Sequence, residues 1–118
     1  MLTAPTSLPA ASLALEQVIG EVTARAALAV ARALHEFQRD GLSTRKTRMH
    51  AGAQIARLFE LWQVCAGQID IYAVARARGA RLLQERSYGE DLNARRTIAV
   101  LIDAVIESLQ EVVRSELN

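Results

Sequence analysis

Residues 98–113 read IAVLIDAVIESLQEVV, and this stretch decides the fold class. Its large apolar side chains recur every three or four residues, the spacing that gathers side chains onto one face of an α-helix. The members of this stripe are Ile98, Leu101, Ile102, Val105, Ile106, Leu109, Val112 and Val113. The acidic side chains on the opposite side are Asp103, Glu107 and Glu111. The stretch therefore predicts an amphipathic helix, and Glu90 and Asp91 mark its start because acidic side chains favour the positive end of the helix dipole.

The composition extends the helical prediction to the whole chain. Of its 118 residues, 21 are alanine and five are aromatic. Alanine is the strongest helix former, whereas strands favour β-branched and aromatic residues, so the composition excludes an all-β sandwich. Both prolines lie before residue 10. A single helical-bundle domain over residues 8–118 fits this length.

A first helix is predicted from Ser7 or Ser12, either of which can cap its first turn, to about Arg39. Residues 1–7 then form a flexible lead. The apolar positions of this helix fall on one face, and many of them are alanine, which allows a close approach to a neighbouring helix. Gly41 follows and readily adopts the conformation that closes a helix.

The middle of the chain, from a cap at Ser43 or Thr44 to about Arg86, has two interpretations. It contains no proline, so its helical pattern predicts one continuous helix on the order of 60 Å long. A break near Gly67 gives two shorter helices instead, since glycine weakens a helix by about 1 kcal/mol relative to alanine. We favour the continuous helix. Because short loops favour antiparallel neighbours, the predicted fold is an all-α, antiparallel up-down bundle of three long helices, or of four if the middle one breaks.

A second apolar stripe distinguishes the middle segment. Its members are Leu61, Val64, Ile71, Val74 and Leu82. A helix that is apolar on two sides needs two partners, which are either other helices of the chain or another molecule. We predict that this stripe is a partner interface and that the protein forms a symmetric homodimer through it. On that hypothesis Ile71→Glu separates the subunits more than it unfolds them.

Positive charge is concentrated in the same segment. Residues 44–87 carry eight lysines and arginines against three acidic residues, while both flanks are net negative. In a continuous helix six of these basic residues share one sector: Arg45, Lys46, Arg57, Arg78, Arg81 and Arg86. Our candidates for binding an anion or nucleic acid through phosphate contacts are Arg45, Lys46, Arg48 and Arg57. The favoured alternative is a basic helix complemented by acidic neighbours.

One basic side chain falls on the main apolar face of the middle segment. Arg76 either finds an acidic partner, on the last helix or across an interface, or extends into solvent, because an unpaired buried charge is very costly. The sequence leaves these alternatives open.

Arg45 and His50 have an R-x4-H spacing that resembles the signature of HEPN ribonucleases. The resemblance covers these six residues. It implies a small helical domain that dimerises, so that the arginine and histidine of two subunits meet at an RNA-cleavage site. No other catalytic motif, phosphate loop or metal-ligand spacing occurs in the sequence, and Cys65 is expected to be a small buried hydrophobic residue.

These patterns predict a small non-enzymatic protein-binding or adaptor protein that acts through helix-mediated contacts as a homodimer and also binds another protein. The alternative is a nucleic-acid-binding protein that uses the basic middle segment, and a HEPN-like ribonuclease comes third. We expect no cofactor, no metal, no small-molecule substrate and no membrane span. The single cysteine leaves no internal disulfide and favours a reducing, cytoplasmic setting.

Overall fold

The computed structural model describes the backbone of residues 3–65 and 67–117 and the side chains of residues 12–65 and 67–117. This described part consists of four helices and contains no strand, which confirms the predicted all-α bundle. Three of the helices are α1 (Thr3–Asp40), α2 (Arg45–Cys65) and α4 (Leu92–Leu117). Between α2 and α4, α3 covers residues 71–88 and alternates α-helical with π-helical turns. These turns are Ile71–Val74, Ala75–Gly79 (π), Ala80–Leu83 and Gln84–Tyr88 (π).

Side-chain oxygens cap three of the helices. Thr44 Oγ1, Asp70 Oδ1 and Asp91 Oδ1 each accept the backbone N–H three residues further on, at 2.7–3.2 Å. Such caps satisfy amide hydrogens that the first helical turn leaves free. The predicted starts at Thr44 and Asp91 are confirmed. Helix α1 begins at Thr3, earlier than either predicted cap, and residues 1–2 of the predicted lead lie outside the described residues.

The middle segment is broken. Helix α2 ends at Cys65, whose carbonyl accepts the N–H of Gln68 at 2.7 Å in a tight turn. Gly67 lies in this turn at φ +77°, a left-handed conformation that glycine adopts without strain. Because Asp70 then caps α3, the chain leaves one helix and starts another within a few residues. The favoured continuous helix is therefore wrong, and the four-helix alternative is confirmed.

Helix α1 lies at the centre of the bundle and contacts the other three helices. Ile19 and Ala26, on the face predicted to be apolar, are fully buried. Gly20, Ala24 and Ala27 point to the other side of the same helix, and they are buried too. The helix with two buried sides is thus α1 and not the middle segment. Its second side is built from small residues, which bury little area each and give no strong apolar signal in a sequence.

Two glycines mark the closest approach of α3 to α1. A Cβ atom added at Gly20 would lie 2.7 Å from the Cβ of Arg78, and one added at Gly79 would lie 2.6 Å from Thr23 Cγ2. Both distances are far below van der Waals contact, so each position requires glycine. The same hypothetical Cβ at Gly79 would lie 3.2 Å from Ile102 Cδ1, which shows that α4 packs against this crossing as well.

Helices α1 and α2 form an antiparallel hairpin. At its closed end the Glu36 carboxylate accepts the Thr44 N–H at 3.0 Å and the Thr47 hydroxyl at 2.8 Å. Further along, Val30 of α1 and Ile55 of α2 line the same groove. Residue numbers therefore fall along α1 as they rise along α2, as the short connection predicts.

Helices α3 and α4 form a second antiparallel hairpin. Arg76 pairs with Asp103 at 3.2 Å, while Gln84, two turns later in α3, shares a groove with Arg95 near the start of α4. The bundle thus consists of two helical hairpins, and the middle segment contributes one helix to each.

Candidate functional site

The second apolar stripe does not form one exposed surface. Ile71 is only 2% exposed and belongs to the core, whereas Val64 is 69% exposed. The other three members, Leu61, Val74 and Leu82, are half-buried against the core. The break at Gly67 is the physical reason, because it places the stripe on two separate helices and resets the helical phase between them. The predicted interface through these five residues is therefore wrong as a single stripe, and only Val64 is largely exposed.

The arginines of α3 are complemented by acidic side chains. The ion pairs are Arg76–Asp103 (3.2 Å), Arg78–Glu16 (3.6 Å), Arg81–Glu85 (3.2 Å) and Arg86–Glu21 (2.6 Å). The hydrogen bond from Arg86 lowers the pKa of the Glu21 carboxyl below its ordinary value. For this half of the basic segment the predicted acidic complement is confirmed, and Arg76 has the acidic partner on the last helix while remaining largely exposed.

A polar cavity of about 410 Å³ between α1 and α3 contains three of these arginines. Arg78, Arg81 and Arg86 line it, but so do Glu21 and Glu85, each of which pairs with one of the arginines. The cavity is therefore close to electrically balanced and does not attract an anion strongly.

The basic residues of α2 have a different environment. Arg45, Lys46, Arg48 and Arg57 are exposed, and no acidic group of the described side chains pairs with them. Arg48 donates to the Ser43 carbonyl at 2.8 Å. At 100° per residue, Arg45 and Arg48 lie on one side of α2 while Lys46 and Arg57 lie on another. The six-residue basic sector predicted for a continuous helix is wrong, because the break at Gly67 places Arg78, Arg81 and Arg86 on α3 while Arg45, Lys46 and Arg57 stay on α2.

Within the described chain, the residues singled out for chemistry do not come together. Arg45 and His50 are exposed near the start of α2, and no described hydrogen bond joins them. Cys65 is 2% exposed, which confirms the predicted buried residue, and burial raises the pKa of its thiol above the ordinary value. Among the described side chains, no three His, Cys, Asp or Glu residues come together as metal ligands.

An open apolar groove runs between α2 and the C-terminal half of α4. It has a volume of about 630 Å³, and its floor is Val30 of α1. The α2 wall consists of Ala51, Gly52, Ile55, Ala56 and Phe59. The α4 wall consists of Ser108, Glu111, Val112, Ser115 and Glu116. We call this feature the α2–α4 groove.

Small residues keep the α2–α4 groove open. A Cβ atom added at Gly52 would meet no other atom within 4 Å, and Ala51 and Ala56 flank it with a single methyl group each. Larger side chains at these positions would fill the space between the two helices. The apolar pattern of the sequence did not predict this wall, because Ala51, Gly52 and Ala56 lie outside the apolar face to which Ile55 and Phe59 were assigned. The run AGAQIA at residues 51–56 is the signal that indicates it.

Two exposed apolar side chains extend the floor of the groove toward the end of α1. Val30, Leu34 and Phe37 follow an i, i+4, i+7 spacing and so share one face of the helix. Leu34 is 46% exposed and Phe37 is 58% exposed. The apolar surface that begins at Val30 in the groove therefore continues over two further turns into solvent.

Charges of opposite sign border the α2–α4 groove. Arg48 and Arg45 lie on the same side of α2 as Gly52: Arg48 is one turn before it and Arg45 is two turns before it. Glu111 and Glu116 stand on the α4 wall. None of these four side chains takes part in an ion pair within the described chain. The groove thus combines an apolar floor, a basic end and an acidic wall.

No family model, curated protein or solved structure matches the chain. Among the described helices, none is both long and apolar enough to cross a bilayer. A function can therefore be inferred only from the surfaces of the molecule. The α2–α4 groove combines an apolar interior with charged side chains that form no ion pair in the described chain.

Proposed function

We propose that this protein is a small non-enzymatic adaptor that acts through helix-mediated contacts with proteins, and that the α2–α4 groove is its contact surface. The observation that carries the proposal is the apolar face that Val30, Leu34 and Phe37 share on α1: Val30 is half-buried in the groove, while Leu34 and Phe37 are exposed beyond it. Contiguous exposed apolar surface is unfavourable in water, and in soluble proteins it marks a site of contact.

The form of the groove supports a helix as the partner element. Residues of α2 and α4 line the two sides of an open apolar trough, and an amphipathic helix can bury its apolar face in such a trough through side chains at i, i+3, i+4 and i+7. The small wall residues Gly52 and Ala56 allow the backbone of a partner helix to approach α2 closely. The buried thiol of Cys65 suits action in the reducing cytoplasm.

Photo-crosslinking tests this proposal. A photoreactive phenylalanine analogue at Phe37 replaces an exposed ring on this surface and leaves the hollow at Gly52 open, whereas the same analogue at Ala53 faces away from the groove. We expect discrete covalent protein adducts from position 37 in the native cell and few from position 53. Equal labelling from both positions, or no adduct from position 37, would contradict a contact role for the groove.

A second candidate function is nucleic-acid binding by α2. The observation that favours it is that Arg45, Lys46, Arg48 and Arg57 have no acidic partner in the described chain, whereas the arginines of α3 do. On this hypothesis a gel-shift titration shows binding that weakens steeply with salt, because phosphate contacts release counterions. Absence of binding at low ionic strength would eliminate this candidate and leave the adaptor proposal.

A further inference from the structure

We infer that the groove is occupied by a second copy of this chain, so that two α2–α4 grooves face each other across a two-fold axis. This inference rests on the proposed function and names the partner. A two-fold interface brings one surface patch against itself, so that patch must be complementary to its own image. Both the charges and the shape of the groove satisfy that condition.

The charges are complementary to their own image because the groove carries both signs and its charged side chains form no ion pair within the described chain. Arg45 and Arg48 precede the α2 wall at the basic end of the groove, and Glu111 and Glu116 stand on its α4 wall. In a two-fold dimer the basic end of one copy meets the acidic wall of the other. A partner surface with charges of one sign only would be repelled by one of these two charged regions.

The shape is complementary to its own image because the same surface has both a protrusion and a hollow. Phe37 and Leu34 protrude, being 58% and 46% exposed, and the hollow lies where Gly52 leaves open space beside Val30. Val30 and Phe37 are seven residues apart in α1, which is about 10 Å along the helix axis. A two-fold axis near Leu34 therefore places Phe37 of each copy over the hollow of the other.

This surface differs from the interface that the sequence predicted. The apolar stripe on the middle segment is mostly absorbed by the chain's own core, and Ile71 with it. The groove, by contrast, remains uncovered by the chain that builds it.

The first test is the mass of the full chain in solution, measured by sedimentation equilibrium from 1 to 100 µM (roughly the range in which a modest interface associates). We expect the mass of a dimer. Gly52→Trp fills the hollow and should raise the dissociation constant by about tenfold or more. Ala53→Trp adds the same bulk on the outward side of α2 and should leave the dissociation constant unchanged.

The second test uses charge reversal to show which residues meet across the axis. The variants Arg45→Glu/Arg48→Glu and Glu111→Arg/Glu116→Arg should each be monomeric, because like charges then face each other. Mixed together, the two variants should form a heterodimer, since each border again meets its opposite. Circular dichroism of each variant alone checks that it is folded.

Several outcomes overturn the inference. A wild-type chain that remains monomeric at 100 µM overturns it, and so does a dimer that Gly52→Trp leaves intact. Failure of the two folded charge variants to associate when mixed also overturns it. If the chain is monomeric and position 37 crosslinks to a different protein, this inference fails while the adaptor proposal stands. If position 37 gives no adduct at all, both fail.

Discussion

At the scale of single residues, glycine has opposite roles at three positions of this bundle. Gly20 and Gly79 stand where α1 and α3 approach so closely that a Cβ atom would collide with a neighbour. Gly52 stands on an open wall where a Cβ atom would touch nothing. The first two allow the core to close, and the third keeps a surface hollow.

This contrast gives a matched pair of substitutions. Alanine at Gly79 would overlap Thr23 and Ile102, so Gly79→Ala should lower the free energy of unfolding by about 1–3 kcal/mol. Alanine at Gly52 meets no atom, so Gly52→Ala should raise it by up to about 1 kcal/mol through helix propensity alone. Urea denaturation of the two variants measures both effects. A stabilised Gly79→Ala protein would contradict the close crossing of α1 and α3.

A single carboxylate organises the corner between α1 and α2. Glu36 accepts hydrogen bonds from the Thr44 backbone and from the Thr47 hydroxyl, and these bonds lower the pKa of its carboxyl. The backbone bond from Thr44 is the largest cause. Thr47 is itself 8% exposed, so its hydroxyl depends on this partner and on the Thr44 hydroxyl.

The lowered pKa of Glu36 predicts an acid dependence of stability. A carboxyl whose folded pKa is below its unfolded pKa stabilises the protein fully above the unfolded value, and that contribution is lost as pH falls through the folded value. The loss should begin below roughly pH 4 to 5. Urea denaturation across this range should give a shallower acid dependence for Glu36→Gln, and also for Thr47→Val, than for wild type. A constant stability difference from wild type at every pH would contradict it.

At the scale of the helices, the sequence predicted what depends on local chemistry. The apolar stripe of α4, the caps at Thr44 and Asp91 and the all-α class follow from side-chain spacing and hydrogen-bonding capacity within a few residues. The break at Gly67 was predicted only as the alternative to a continuous middle helix. A lone glycine costs a helix about 1 kcal/mol, too little to decide between a bend and a turn.

The central position of α1 and the α2–α4 groove were less accessible to prediction. Both depend on small residues, such as Ala24 and Ala27 in the core and Gly52 and Ala56 at the groove. Small side chains contribute little to the apolar pattern of a sequence, yet they determine how closely two helices can approach each other. Whether such a residue closes a core or leaves a hollow depends on what lies opposite, and that is determined only by the assembled bundle.

Two residues of the second apolar stripe, Ile71 and Val64, differ in burial and should therefore differ in their effect on stability. Ile71 is 2% exposed, so Ile71→Glu should destabilise the monomer by about 3 kcal/mol or more, because it buries a charge without a partner. Val64 belonged to the same predicted stripe but is 69% exposed, and Val64→Glu should change the free energy of unfolding by no more than about 0.5 kcal/mol. Thermal and urea unfolding measure both. Equal effects of the two substitutions would contradict the break between α2 and α3.

At the scale of the whole molecule, charge ties α3 to its neighbours. Arg78 and Arg86 pair with glutamates of α1, and Arg76 pairs with Asp103 of α4. The side chains of these pairs are between about one-third and 61% exposed, so each pair contributes at most about 1 kcal/mol. The acidic flanks of the sequence thus balance the second half of its basic centre. The basic residues of the middle segment that form no ion pair in the described chain lie on α2, which forms one wall of the groove.

The central position of α1 also predicts how the bundle opens. The middle of α1, residues 19–29, is buried on two sides and packs against every other helix, so its amides can exchange only when the whole bundle unfolds. The first two turns of α2 are covered on one side only, and their amides should exchange through local opening. Hydrogen exchange followed by mass spectrometry should therefore find the slowest amides in residues 19–29 and faster exchange in residues 45–52. Adding urea below the unfolding transition should accelerate the slow class much more than the fast class, since global opening exposes far more surface. Slowest exchange in α2 would mean that the α1–α2 hairpin, and not the meeting of all four helices at α1, is the most stable unit of the fold.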